Sequence, residues 1–267
     1  MTIQVIAVLA LTLVIYVVGT LAYSVRIVGV KTGRIAIAFA IFNVFALLSR
    51  TANTFQAPLL AKTIEKSIEG GNTDGMLHIF RWILLSATFA TIIGAMLLPT
   101  FIRVFTKAVE SFSVYRSVPR LILHGFSKSG IEQFKRSITI PKKGNLSQLK
   151  SLRKIPKKIV LLNVITSSIS TVGVLASLYA GCLYPEFRTT CSTLSSAING
   201  VATILMFLFI DPYISMMTDD VIKGECTELD FSRCVIFIVC GLIVGTMLAQ
   251  LLLVPSAMAI ASIARVI

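Results

Sequence analysis

Six apolar stretches divide this chain, and each is long enough to cross a membrane as an α-helix. A helix rises 1.5 Å per residue, so about 20 apolar residues span a hydrocarbon core of about 30 Å. The chain has 55% hydrophobic and 14% charged residues, which is typical of a multi-pass membrane protein. We therefore predict an all-α membrane protein. The predicted spans are Ile3–Ser24, Arg34–Leu59, Ile79–Phe105, Ile159–Leu183, Cys191–Ile210 and Phe231–Ala261.

The net charge of +13 is concentrated in one connection between two spans. Between Arg103 and Lys158 there are fourteen Lys and Arg residues against two acids, Glu110 and Glu132. Basic connections of this kind mark the cytoplasmic side of a membrane, where they meet anionic lipid headgroups. No RNA- or DNA-binding motif accompanies the charge, so we exclude nucleic acid as a partner. Setting the topology and recruiting an anionic lipid are both open as roles for this segment.

Placing residues 106–158 in the cytoplasm determines the side on which every other loop lies. Both termini then face the exterior. The acidic loop after the fifth span, Asp211–Asp230, falls inside, and the rule tolerates this because acids carry little weight in it. The loop between the fourth and fifth spans falls outside and holds Cys182 and Cys191. A disulfide there and a coincidental spacing are both open.

The basic connection has an amphipathic first part. Apolar and basic residues alternate from Lys107 to Phe126, and Pro119 interrupts the pattern. We predict two short amphipathic helices that lie in the inner membrane interface.

The two halves of the chain resemble each other. In each half a Tyr near the end of the first span precedes an Arg near the start of the second, Tyr23 with Arg34 and Tyr179 with Arg188. The third span of each half begins near a Phe and an Arg and carries a late proline. A unit of three spans that begins outside ends inside, so the second unit is inverted, as in many secondary transporters. The predicted organisation is a three-helix unit at 1–105, a basic connection at 106–158 and a three-helix unit at 159–267.

The second span turns polar before it has crossed the membrane. Its apolar part, Ile35–Leu48, covers about 21 Å of the hydrocarbon core of about 30 Å. To span, the helix must continue through Arg50, Asn53 and Gln56 to Pro58. Charged groups at membrane depth are costly and usually face a bundle interior or a watery cavity. Arg50 is therefore a candidate functional residue; the alternative is that it snorkels to the interface and orients the helix.

Several neutral polar side chains could join Arg50 in one site. Asn43, Arg50 and Asn53 fall near one helical face, at offsets of seven and three residues. A guanidinium beside neutral amides suits an anion such as phosphate. The fifth span offers a facing stripe of polar residues, for which helix packing is the alternative explanation. These residues are Ser192, Ser195, Ser196, Asn199 and Thr203.

Two further arginines lie at the predicted inner end of the bundle. Arg26 and Arg34 belong to the loop region between the first and second spans. Asp211 and Tyr213 fall on the same side in the predicted topology and could pair with either arginine. The candidate substrate-binding residues are therefore Arg50, Asn43, Asn53, Gln56, Asn199, Arg34 and Arg26.

Catalysis has little support in the sequence. Histidine occurs at two positions, and no HExxH, GxSxG or Walker motif is present. We predict no catalytic residue, no metal, no cofactor and no ATP hydrolysis by this chain. The sequence favours a binding or transport protein over an enzyme.

Several longer motifs carry a family resemblance. They are Thr20–Arg26 (TLAYSVR), Thr32–Ala36 (TGRIA), Leu48–Asn53 (LSRTAN), Gln56–Leu59 (QAPL), Ser195–Thr203 (SSAINGVAT) and Asp211–Pro212. With these motifs the chain resembles the Amj family of bacterial lipid II flippases over nearly its whole length, most specifically from Tyr23 to Leu59. The resemblance implies a six-span protein of the bacterial plasma membrane that acts as an alternate to the MurJ flippase in peptidoglycan synthesis.

The substrate that the resemblance implies fits the residues. Lipid II is a polyprenyl diphosphate that carries a disaccharide pentapeptide, so it brings the anion that Arg50 could bind. The implied activity is movement of lipid II to the outer leaflet without ATP hydrolysis. Two other functions stay open: a secondary transporter of another anionic amphiphile, and a non-transporting scaffold for envelope-synthesis enzymes. A homodimer is an alternative to a monomer, because one six-helix bundle could leave too narrow an interior for the head group.

Overall fold

The computed structural model describes residues 3–70, 74–115, 137 and 156–267. These residues form helices and short turns, with no strand among them. Six helical segments are long and apolar enough to cross a membrane, which confirms the prediction of an all-α protein with six spans. The first span comprises α1 and α2, and the fifth comprises α6 and α7. The helices are α1 (Ile3–Ala22), α2 (Ser24–Thr32), α3 (Ile35–Glu69), α4 (Asp74–Tyr115), α5 (Lys157–Leu183), α6 (Arg188–Leu205), α7 (Asp211–Lys223) and α8 (Glu228–Val266).

The second span is longer than predicted, because Pro58 does not end it. Helix α3 continues to Glu69, ten residues past the predicted end of the span at Leu59, and most of residues 61–78 are helical. A proline removes one backbone hydrogen bond, which membrane helices tolerate when their surroundings hold them in place. Leu60 and Ile64, which follow the proline, are buried in an apolar cluster. Their burial holds the helix together beyond Pro58.

The acidic segment 211–230, predicted as a loop after the fifth span, is also largely helical, and its first part belongs to that span. It forms α7, which ends at Gly224 with a positive φ of 78°. Pro212 in the first turn of α7 lacks an N–H, so the carbonyl four residues earlier loses its usual donor. The chain makes one wide π-helical turn there, Met206–Ile210, and joins α6 to α7 without a loop. Thr227 then caps α8 by accepting a 3.1 Å hydrogen bond from the N–H of Asp230.

Each half of the chain has the same internal packing. Helix α1 packs against α3 and α4, and α5 packs against α6 and α8. The second and third spans of each half touch each other much less. Between the halves, α4 packs against α8 and, to a smaller extent, against α5. The first span of each half is therefore the centre of its three-helix set.

Small residues allow the first and third spans of each half to approach closely. In the second half, Gly245 of α8 lies directly against Ser167 of α5, and Gly241 precedes it by one turn. In the first half, a Cβ on Gly94 of α4 would lie 2.7 Å from the Cβ of Thr20 in α1. Glycines at such contacts are common between membrane helices, because they let two backbones come together.

The bundle has two ends, which we call the connection end and the far end. The connection end holds Tyr115 and Lys157, between which the basic connection runs, and the far end holds Ile3 and Val266. Helix α4 continues past residue 105 to Tyr115. The predicted amphipathic helices beyond that point, and most of the basic residues of the connection, lie outside the described residues.

The cysteines are free thiols in the part of the chain that the structure describes. Cys182 and Cys191 are both buried in the apolar cluster that also holds Leu60, and no disulfide joins them. The structure therefore favours coincidental spacing over the disulfide that the sequence left open.

Candidate functional site

A cavity of about 730 Å³ lies between the two halves of the bundle. Helix α3 supplies one wall from the first half and α6 supplies another from the second half, while α1, α4 and α5 complete the lining. The cavity is open, since several of its residues on α3 and α6 are exposed. Its polar lining residues are Thr12, Tyr16, Ser49, Arg50, Asn53, Gln56, Ser170, Thr171, Ser195, Asn199 and Thr203.

Helix α3 brings three of the predicted site residues to this cavity. Arg50, Asn53 and Gln56 follow one another at intervals of three residues, so they share one side of the helix. Gln56 Nε2 donates a 2.6 Å hydrogen bond to Thr12 Oγ1 of α1. The Thr12 hydroxyl in turn donates to the carbonyl of Val8 at 2.8 Å. These two hydrogen bonds orient the Gln56 amide at the cavity wall and join α3 to α1.

Arg50 brings a positive charge into the cavity. Among the described residues the Arg50 guanidinium makes no ion pair, and no Asp or Glu is among the residues that line the cavity. A charge at membrane depth is costly unless water or an opposite charge compensates it. The cavity therefore has the electrostatics of an anion site.

Helix α6 supplies the facing wall through Ser195, Asn199 and Thr203, which recur every four residues. The hydroxyl of Thr203 donates to the carbonyl of Asn199 at 2.7 Å, and that of Ser195 donates to the carbonyl of Ser192 at 2.6 Å. Asn199 Oδ1 is buried against Gly173 of α5, with no donor among the described residues. A buried acceptor without a donor is destabilising, so Asn199 is the least satisfied polar residue of this wall.

An ion pair joins α3 to α6 beyond the far end of the cavity. Arg188 Nη2 of α6 lies 2.6 Å from Glu65 Oε1 of α3. Both side chains are partly exposed, at 37% for Arg188 and 50% for Glu65. Neither residue lines the cavity: Glu65 follows the lining residue Ala61 by one turn, and Arg188 precedes the lining residue Ser195 by two turns.

A second arginine links the same sides of the bundle at the connection end. Arg26 of α2 forms a 3.0 Å ion pair with Asp211 of α7 and donates a 2.9 Å hydrogen bond to Ser215. Its guanidinium also lies 5.8 Å from the ring centroid of Phe39 in α3, within the range of a cation–π contact. Of the two arginines that the sequence left open as partners, the structure pairs Arg26 with Asp211, and Tyr213 packs against an apolar cluster.

These contacts bracket Arg50 along α3. Phe39 lies eleven residues before Arg50 and Glu65 lies fifteen residues after it. The intervals correspond to about 16 Å and about 22 Å of helix. A hydrocarbon core is about 30 Å thick, so Arg50 lies well inside it when both ends of α3 reach the interfaces. Arg50 is exposed and lines the cavity at this level of α3, so it stays a candidate functional residue, with snorkelling as the alternative.

Two predicted site residues on α3 lie away from the cavity. Arg34 caps the start of α3 at the connection end and is exposed. Asn43 is also exposed and does not line the cavity, although it shares a helical face with Arg50. At the level of Asn43, α3 packs beside α2 and α4 in a cluster that includes Ile41 and Phe42. The structure therefore gathers Arg50, Asn53, Gln56 and Asn199, and leaves Arg34, Asn43 and Arg26 outside the cavity.

The cavity also contains polar residues that the sequence analysis missed. Thr12 and Tyr16 of α1 and Ser170 and Thr171 of α5 all line it. A signal existed in α1, where Thr12, Tyr16 and Thr20 recur every four residues and Gln4 is the one other polar side chain of the helix. Single hydroxyl residues are common in membrane helices, so this pattern is weak by itself.

The described residues offer no cluster of three or more His, Cys, Asp or Glu side chains that could hold a metal ion. The chemistry that the cavity supports is reversible binding of an anion, with hydroxyl and amide groups around it.

Comparisons with known proteins identify the family of this chain. A family model described as "Amj: Alternate to MurJ" matches residues 11–264. The "Lipid II flippase Amj" of Bacillus subtilis (strain 168) is 36% identical over 264 residues, which cover 97% of this chain and 96% of the relative. No solved structure matches the chain. The resemblance in the sequence motifs is confirmed, and this chain belongs to the Amj family.

Proposed function

We propose that this protein is a lipid II flippase of the plasma membrane, which moves the precursor from the cytoplasmic to the outer leaflet. The observation that carries the proposal is the position of Arg50, in a polar cavity near the middle of a span. A diphosphate that crosses a membrane needs a cation at this depth. Membership of the Amj family and the name of the Bacillus subtilis relative support the same activity.

Arg50 binds the diphosphate in this proposal. A guanidinium offers a planar fork of N–H donors that matches two phosphate oxygens, and the bonds are charge-assisted. Asn53 and Ser49 add neutral donors from the same helix. The anion in turn compensates the charge of Arg50, so each group lowers the cost of the other at membrane depth.

The open form of the cavity suits a substrate that is part lipid. A volume of about 730 Å³ lies within the range of pockets for drug-sized ligands, about 300–1,000 Å³. This volume holds the diphosphate and the adjoining sugar, while the remaining head group projects from the cavity. The exposed side chains of the two helices that carry the facing walls include the apolar Phe55 of α3 and Val201 of α6. The polyprenyl tail stays in lipid against such residues.

The proposed orientation follows from the charge of the connection. Residues 106–158 carry most of the basic excess and lie in the cytoplasm, where they contact anionic lipid headgroups. The connection end is then cytoplasmic, and the far end with both termini faces the exterior. The sequence holds no Walker motif, so transport proceeds without ATP hydrolysis by this chain.

Reconstitution tests the proposal. Purified protein in liposomes should accelerate the movement of fluorescent lipid II between leaflets, measured by its accessibility to a membrane-impermeant quencher. Arg50→Gln should slow the movement by about tenfold or more, which corresponds to the loss of a charge-assisted contact of about 1.5–3 kcal/mol. Arg81→Gln is the matched control, since Arg81 is an exposed arginine of α4 outside the cavity lining.

Three results would contradict the proposal. Folded protein that fails to accelerate lipid II movement would exclude flipping. Full activity of Arg50→Gln would show that Arg50 does not bind the substrate and would favour the alternative, in which it snorkels to the interface and orients the helix. Acceleration of labelled phosphatidylglycerol but not of lipid II would indicate a transporter of another anionic amphiphile.

A further inference from the structure

We propose that Arg188, beyond the far end of the cavity, is a second binding residue for the diphosphate, and that the Glu65 carboxylate is paired with Arg188 until the diphosphate displaces it. The inference rests on the proposed function. It adds an exit-side anion site on the second half of the chain to the midplane site at Arg50.

Arg188 is in line with the cavity wall of α6. It precedes the lining residues Ser195, Asn199 and Thr203 by seven, eleven and fifteen residues, intervals that keep all four on one helical face. The distance from Arg188 to Ser195 along the helix is about 10 Å. A head group that moves along this wall toward the far end meets Arg188 next.

Glu65 has the corresponding position on α3. It follows the lining residue Ala61 by four residues and reaches across to Arg188. Among the described residues this is the one ion pair between α3 and α6. Its 2.6 Å contact therefore joins the two helices that carry the cavity walls, beyond the last lining residue of each.

The ion pair is suited to exchange. It consists of one contact, from Nη2 of Arg188 to Oε1 of Glu65, so the other guanidinium N–H groups remain for a second acceptor. Both partners are more than one third exposed, which makes the pair weak. A diphosphate carries more charge and more acceptor oxygens than one carboxylate, and it can engage the guanidinium through two bonds. It can therefore replace Glu65 on Arg188.

The exchange couples diphosphate binding to loss of the ion pair between α3 and α6 at the far end of the bundle. When the diphosphate binds Arg188, Glu65 is released, and α3 and α6 are no longer joined by an ion pair there. Arg50 and Arg188 then act in succession, the first near the middle of the membrane and the second near its outer face. Release into the outer leaflet returns Arg188 to Glu65.

A binding experiment tests the exchange. Radiolabelled farnesyl diphosphate is the probe, and its dissociation constant is measured with the purified full chain in detergent. Glu65→Gln should tighten binding about threefold to fivefold, because it removes the competing carboxylate, and the thermal midpoint should fall because the ion pair is lost. Arg188→Gln should weaken binding about tenfold. In the Arg188→Gln background, Glu65→Gln should have no further effect.

Matched controls separate this exchange from a general change of charge. Glu69→Gln removes a carboxylate one turn further along α3, and Arg81→Gln removes an arginine outside the cavity lining. Both should leave the dissociation constant unchanged. A purely structural role of the ion pair would make Glu65→Gln lower both the thermal midpoint and the affinity.

Each outcome supports or overturns a defined statement. Tighter binding by Glu65→Gln that depends on Arg188 supports the exchange. Unchanged or weaker binding by Glu65→Gln, or tightening that persists without Arg188, overturns it. If Arg50→Gln weakens binding while both changes at the ion pair leave it unaltered, the proposed function stands and the exit site fails. If Arg50→Gln also has no effect, the proposed anion site itself fails.

Discussion

Arg26 and Asp211 form a 3.0 Å ion pair that joins the first half of the chain to the second at the connection end. Arg188 and Glu65 form the reverse pair at the far end, with the arginine from the second half and the acid from the first. Each half thus contributes one arginine and one carboxylate, at opposite ends of the bundle. The two pairs do not occupy equivalent positions of the predicted repeat, because that repeat aligns Arg188 with Arg34 and not with Arg26. The inverted repeat stays a prediction.

Removing the charge of Asp211 should destabilise the connection end. We expect Asp211→Asn to lower the free energy of unfolding by about 1 kcal/mol, because Arg26 loses its ionic partner and keeps its contacts with Ser215 and Phe39. Denaturant unfolding in detergent measures the change. Asp219→Asn, on the exposed side of the same helix, is the control and should have little effect. Equal stability of Asp211→Asn and the parent would show that the ion pair contributes nothing.

The bond between Gln56 and Thr12 should couple α3 to α1. Thr12→Val and Gln56→Leu should each lower the unfolding free energy by about 0.6 kcal/mol, the average value of a hydrogen bond between membrane helices. The double variant should lose less than the sum of the two, because both changes remove the same bond. Thr51→Val is a control, since within the described ranges the Thr51 hydroxyl bonds to the Leu47 carbonyl of its own helix and to no other helix. Additive losses would exclude the coupling.

Part of this site could be predicted from the sequence, because a charge inside an apolar span is informative. A membrane allows few environments for a charged side chain such as Arg50. Helical spacing then predicts that Asn53 and Gln56 lie on the same side of the helix as Arg50. Asn43 satisfies the same spacing, yet the cavity does not reach it. The two ends of a cavity depend on where neighbouring helices move apart. The sequence pattern of one helix gives no information about that spacing.

The ends of the helices were harder to predict, because packing between helices also decides where a helix ends. Pro58 has a strong local tendency to end a helix, and the packing of Leu60 and Ile64 overrides it.

The sequence does not indicate Arg188 as a site residue, because its ionic partner, Glu65, is 123 residues away in the chain. The repeat aligns Arg188 with Arg34, but Arg34 is an exposed cap with no ion pair among the described residues. Equivalent positions in the two halves thus have different contacts.

The topology can be tested with cysteines at the two ends of the bundle. In a Cys226→Ser background, Lys66→Cys at the far end should react with a membrane-impermeant maleimide added to intact protoplasts. Lys223→Cys at the connection end should react only after the membrane is permeabilised, because the basic connection places that end in the cytoplasm. Both lysines are exposed, so access is governed by the side of the membrane. The opposite labelling pattern would invert the predicted topology and the direction of transport.

Gly245 should not tolerate a side chain. A Cβ at this position collides with Ser167 of α5 and comes within 2.9 Å of the Val164 carbonyl, so the two helices must separate. We expect Gly245→Ala to lower the unfolding free energy by about 1–3 kcal/mol, measured by denaturant unfolding in detergent. Gly19→Ala is the matched control, since no atom lies within 4 Å of a Cβ there, and alanine favours a helix by about 0.5–1 kcal/mol over glycine. Ser167→Gly should restore part of the loss, because it removes the colliding side chain while the contact with the Val164 carbonyl remains. If Gly245→Ala is as stable as the parent, α5 and α8 do not approach as closely as the structure places them.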